Sequence, residues 1–129
     1  MKNYLRPTLV ISVMAIVVML VSTAFAQRVG GYKEVSTTET AVTAAARFAV
    51  KAQAAKQDAT IELVDVAHAE RQIVAGTNYR MCLVITTSGE ENEADVTITA
   101  RVVVYRDLKG RYKLSSWVEE DCVPDDESE

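Results

Sequence analysis

The residues of this chain that could do bond chemistry are few and scattered. Among its 129 residues there is one histidine and there are two cysteines. His68 sits in the middle of an extended stretch between Ala67 and Ala69, a setting that reads as structural or solvated rather than as a base or ligand. With no cysteine or carboxylate at metal spacing, a single histidine does not complete a zinc site. Cys82 lies in a strand pattern, and once oxidised it is a poor nucleophile. Glu119-Glu120-Asp121 offers an acid and a base, but carboxylates in a row at a strand end face solvent. Gly30-Gly31 is too short for a phosphate-cradling loop and has no strand before it. No catalytic residue, metal or cofactor is therefore expected. What remains is recognition, and it concentrates in Gln72-Ile73-Val74-Ala75-Gly76.

Two extended stretches must position that pentapeptide. Upstream, Ile61-Glu62-Leu63-Val64-Asp65-Val66 is apolar and β-branched. Downstream, Tyr79, Met81, Leu83 and Ile85 alternate with Arg80, Cys82, Val84 and Thr86. Two such runs around a short segment ending in glycine predict a β-hairpin. A hairpin tip normally carries polar residues, and here it carries Ile73 and Val74. Exposed branched aliphatics are costly to solvate, so they pack on something. Two destinations are open: this protein's own core, or another molecule's cleft.

The remaining elements emerge from period and punctuation. Ser36-Thr37-Thr38-Glu39 has capping-box spacing, with Ser36 accepting from Glu39 and Glu39 reaching back. An alanine-rich helix of about five turns then runs to about Gln57, with Val42, Ala45, Phe48, Ala49 and Ala52 on one face and Phe48 as its main anchor. Val96, Ile98, Ala100, Val102 and Val104 alternate with Thr97, Thr99, Arg101, Val103 and Tyr105, a period of two. Arg106-Asp107-Leu108-Lys109-Gly110 is a second turn. A last strand places Tyr112, Leu114, Ser116 and Val118 on one face and Trp117 on the other. The expectation is an α+β domain in which one helix packs on a sheet of four strands in antiparallel meander, after a short N-terminal piece.

The first residues set the compartment. Lys2 and Arg6 precede an apolar run from Leu9 to Val21, and Ala24-Phe25-Ala26 offers small residues for signal-peptidase cleavage, so residues 1–26 read as a secretory signal. The competing reading is a retained membrane anchor, since Ala24 to Ala26 lengthen the apolar stretch. Cleavage before Gln27 leaves 103 of the 129 residues, one domain's worth, and removal of two basic residues shifts the formal net charge from −4 to −6. Residues 27–123 form the domain and 124–129 an acidic disordered tail. Acidic runs at 90–93 and 125–129 read as a solvated loop and that tail. This balance argues against nucleic acid or an anionic membrane as the partner. In a secreted chain, Cys82 and Cys122 suggest one disulfide that ties down the C-terminus, contributing about 4 kcal/mol in the chain-entropy model; two unpaired buried thiols are the alternative.

Several motifs stand together in order. Gln72-x-Val74-x-Gly76 resembles the Q-x-V-x-G loop of the cystatins, secreted inhibitors of papain-like cysteine proteases. Val29-Gly30-Gly31-Tyr32 resembles that family's N-terminal glycine segment. Ala46-Arg47-Phe48-Ala49-Val50 resembles the helix signature L-A-R-F-A-V of plant cystatins, with Ala45 replacing the leucine. Ala75-Gly76-Thr77-Asn78-Tyr79 resembles the continuation A-G-x-N-Y. The resemblance covers almost all of residues 27–129.

The resemblance implies a cystatin-like fold, a curved antiparallel sheet of up to five strands around one helix, and a function without catalysis. The N-terminal segment (Gly30, Gly31) and two hairpin loops would align as an apolar wedge in a papain-like protease, with Gln72, Ile73, Val74, Ala75 and Gly76 in the first loop. The second loop, Arg106, Asp107 and Leu108, departs from the pattern: the family usually carries Pro-Trp there. An aspartate in place of the tryptophan anchor removes a large apolar contact and adds a charge to desolvate. Trp117 lies too far along to replace it and reads as a packing residue. The expected molecule is a secreted monomeric inhibitor. A binding module of the same fold without inhibition is the alternative that the second loop favours.

Overall fold

Alanine lets the helix approach the sheet. In the computed structural model, which describes residues 30–89, 91 and 93–125, the single α-helix α1 spans Thr40–Gln57. It buries Val42, Ala45, Ala46, Ala49 and Val50 against the sheet. Side chains this short bring the helix axis close to the strands, and close packing there excludes water from the core. The helix ends at Asp58, which takes the left-handed conformation (φ 51°) and donates its amide to the Ala54 carbonyl.

The helix start differs from the expected capping box. Thr40 is the first helical residue, and Ser36–Glu39 is a separate turn in which the Glu39 amide donates to the Ser36 carbonyl at 3.2 Å. Ser36 Oγ accepts from the Thr38 amide instead. The Glu39 carboxylate accepts from Arg71 Nη1 at 2.9 Å, a charge-assisted bond that is stronger than a reach back to a neutral amide. Phe48 is also not the main anchor. It is half-buried at the flank and stacks on Tyr112, with ring centroids 5.3 Å apart.

Five strands take the order β1-β2-β3-β4-β5 across one antiparallel sheet: β1 Lys33–Glu34, β2 Ile61–Val74, β3 Gly76–Thr87, β4 Val96–Arg106 and β5 Tyr112–Glu119. The fold is α+β, as expected, with one more strand than the alternation pattern showed. β1 is two residues long and pairs Lys33 with Arg71 and Glu34 with Glu70, too short to leave a period in the sequence. In β3, Tyr79, Met81, Leu83 and Ile85 face the helix, as do Ala100, Val102 and Val104 of β4, and all are buried.

Bulges set the curvature and the facing. β2 carries irregularities between Leu63 and Asp65 and between Val66 and His68, which bend it around the helix. A third lies in the β4–β5 pairing, where Val103 opposes Ser116 while Val104 opposes Leu114. One extra residue reverses the facing of the rest of the strand. Trp117 therefore turns to the core side with Tyr112 and Leu114, and Val118, expected on their face, is 48% exposed on the other.

Candidate functional site

The β2–β3 ladder runs to its end: Gln72 pairs with Asn78, Ile73 with Thr77 and Val74 with Gly76, leaving Ala75 alone at the apex. Paired strands on both sides make the tip stiff. Ile73 is 61% exposed, Ala75 is exposed and Val74 is half-buried. Of the two destinations open to these aliphatics, the protein's own core is not the one they take.

Gly76 is buried, with φ +110°, a conformation that side chains oppose. A Cβ at this position would overlap the Arg106 carbonyl oxygen and lie 2.8 Å from Cε2 of Tyr105. The glycine therefore lets the end of β4 press against the first hairpin. Tyr105 also donates its hydroxyl to the Ala75 carbonyl.

Gln72 joins the N-terminal segment to the same hairpin. Its Nε2 donates to the Gly30 carbonyl at 2.9 Å, and its Oε1 accepts from Asn78 Nδ2 at 3.0 Å. Gly30 thereby lies beside Ile73, while Gly31 has open space around its Cα.

In the second loop, Asp107 is not a charge waiting to be desolvated by a partner. Its Oδ1 accepts from the amides of Lys109 and Arg111, each at 2.9 Å, and its Oδ2 accepts from Arg111 Nε at 2.7 Å. The Arg111 amide, the Arg111 guanidinium and the Lys109 amide hold its carboxyl below the usual aspartate range. Backbone bonds from Asp107 N to Arg111 O and from Gly110 N to Asp107 O close the turn, with Gly110 at φ +82°. With Asp107 turned inward, Leu108 is pushed out and is 82% exposed. A shallow groove lined by Ile73, Val74, Thr77, Arg106 and Leu108 separates the two tips. Three chain segments thus meet at one end of the sheet, and the two hairpin loops carry the apolar side chains of Ile73 and Leu108 outward.

A family model described as the cystatin domain matches residues 30–104. The chain belongs to the cystatin family. The match takes in the N-terminal glycines and the first hairpin and ends at Val104, short of Tyr105 and the second loop. Among solved structures, this cystatin is similar to a salivary cystatin from the soft tick Ornithodoros moubata, with 25% identity and a TM-score of 0.58 over 70% of this chain and 97% of that one. It also shares its fold with Al-CPI, at 20% identity and a TM-score of 0.55, covering 70% of this chain and all of the other. Comparison with curated proteins gives no match.

Elsewhere in this cystatin, three of the residues weighed for bond chemistry, Cys82, His68 and Glu120, take part in a disulfide or in polar contacts. Cys82 and Cys122 form a disulfide with a Cα–Cα distance of 5.7 Å, across a sequence separation of 40. His68 Nε2 lies 3.2 Å from Glu70 Oε1, and its Nδ1 is 3.7 Å from Glu34. Arg80 binds the other Glu70 oxygen and stacks its guanidinium 3.9 Å over the Tyr32 ring. Glu120 pairs with Arg101 at 3.1 Å. Sequence reasoning did not single out Tyr105 or Asn78 for the site. Both stand at outward positions of their strands, and only the register shows that they lie side by side.

Proposed function

We propose that residues 27–123 act as a secreted, monomeric, reversible competitive inhibitor of papain-like cysteine proteases. The observation that carries this reading is the stiff apex with Ile73 standing in solvent beside Val74 and Ala75. A protein keeps such a surface exposed where a partner will cover it. Gly30 and Gly31 lie on one side of the apex and Leu108 stands on the other, across a shallow groove, so three segments line one edge of the sheet. Gln72 and Gly76 hold that edge in shape from behind. A pre-shaped wedge loses little conformational freedom on docking, which favours high affinity from a contact of about 800 Å² per partner. Nothing in the wedge attacks a peptide bond, so it acts by filling the cleft.

Residues 1–26, outside the described part of the chain, carry the signal-peptide pattern, and their removal before Gln27 is part of this proposal, as is the acidic tail that ends at 129. Among the described residues, no helix is long and apolar enough to cross a membrane.

Titration of papain with the chain beginning at Gln27 tests the function. Stoichiometric loss of turnover, relieved by excess substrate, is the expected result. Full activity at micromolar inhibitor would instead favour a cystatin-fold binding module, the reading suggested by Asp107 in place of the family's usual tryptophan.

A further inference from the structure

We infer that Tyr105 is a positioning residue that latches the first hairpin loop to the second, an assignment that rests on the inhibitory reading of that loop. Tyr105 lies in β4, opposite Asn78 of β3, which in turn lies opposite Gln72 of β2. These three side chains form a row across the outer face of the sheet. The row is bonded at both ends: Gln72 to the Gly30 carbonyl, and the Tyr105 hydroxyl to the Ala75 carbonyl.

The position of the ring explains why the bond forms. Gly76 has no Cβ, and the Tyr105 ring occupies the approach to that space, 2.8 Å from where a Cβ would stand. From there its hydroxyl reaches past Gly76 to the apex. The Ala75 carbonyl has no ladder partner, because the strand pairing stops at Val74 and Gly76. Without Tyr105 the Ala75 carbonyl would lose its partner, and the apex peptide, the one unpaired link of an otherwise laddered hairpin, would rotate more freely. With it, the height of Ile73 and Ala75 relative to the Arg106–Leu108 turn is set before any partner arrives. Less freedom is then lost on binding.

Tyr105→Phe keeps the ring and removes only the donor. In this variant we expect amide hydrogen exchange at Gly76 and Thr77 to quicken severalfold while the melting temperature stays within about 2 °C of the parent. Affinity for papain should fall about fivefold, the size of one net hydrogen bond. Thr99→Val, which removes a hydroxyl bonded to the Glu120 carbonyl at the far end of β4, is the control and should change neither readout. Unchanged exchange at Gly76 and Thr77 in Tyr105→Phe overturns the latch, whatever papain does. Faster exchange with unaltered affinity overturns its part in inhibition. If the parent chain leaves papain untouched, it is the functional reading that fails, and the exchange measurement still decides the latch.

Discussion

Adding a methyl group at Gly76 would drive a Cβ into the Arg106 carbonyl and the Tyr105 ring, in a backbone conformation that already disfavours it. Strain and overlap together make Gly76→Ala destabilising by about 2–3 kcal/mol, readable as a lower denaturant midpoint. Gly76→Glu should also weaken inhibition roughly tenfold or more, about 1.4 kcal/mol; unchanged inhibition by a folded Glu variant would remove this loop from the contact. Leu108 behaves in the opposite way. It is exposed in the free protein and touches little, so Leu108→Ala should leave the melting temperature unaltered. In the proposed complex it would exchange water for protease surface, so the same variant should lose about 1–2 kcal/mol of binding, or about 5–30-fold in inhibition constant. Equal affinity would leave the second loop a bystander.

At the scale of elements, the two ends of the sheet are separable. Cys82 lies six residues along β3 from Gly76, roughly 20 Å at the rise of an extended strand. Its disulfide fastens the segment after β5 to the middle of the sheet and leaves the loops alone. Replacing both cysteines by serine should lower stability by up to about 4 kcal/mol, as a chain-entropy effect on a loop of 40 residues. Inhibition measured well below the melting temperature should stay at the parental level. A loss of inhibition in the folded double variant would mean that the far end of the sheet shapes the wedge.

Across the whole molecule, Glu70 connects the N-terminal strand, the first hairpin and the outer face. Burial raises its pKa, but hydrogen bonds from Arg80 and His68 outweigh that and hold its carboxyl below the ordinary glutamate value. A group depressed in the folded state contributes stability above its unfolded pKa, about 4.3, and loses it as the pH falls through the lower folded value. Glu70→Gln should therefore melt below the parent at pH 7, with the gap closing as the pH drops below about 4.3. A constant gap down to strongly acidic pH would assign the loss to shape rather than charge.

Sequence alone determined the helix, the four long strands, the hairpin at Gln72–Gly76 and the family motifs, because each leaves a local mark, whereas the pairing of Cys82 with Cys122 stayed open until the fold brought them together. Period two reports a half-buried strand and period 3.6 a helix, and a glycine after aliphatics marks a tip. The two-residue strand β1 left no period to read. Trp117 lies on the face opposite to the one its parity implies because a single bulged residue reverses parity, and a bulge has no composition of its own. The capping box failed for a long-range reason: Arg71, 32 residues away, takes the Glu39 carboxylate. Asp107 has the look of a lost anchor until the turn shows its carboxylate bonded inward and Leu108 pushed outward. Only the tertiary structure could decide that Tyr105 reaches Ala75 or that Gln72 reaches Gly30. Such contacts depend on register and facing across strands, and these are set by the packing of the whole sheet around its helix.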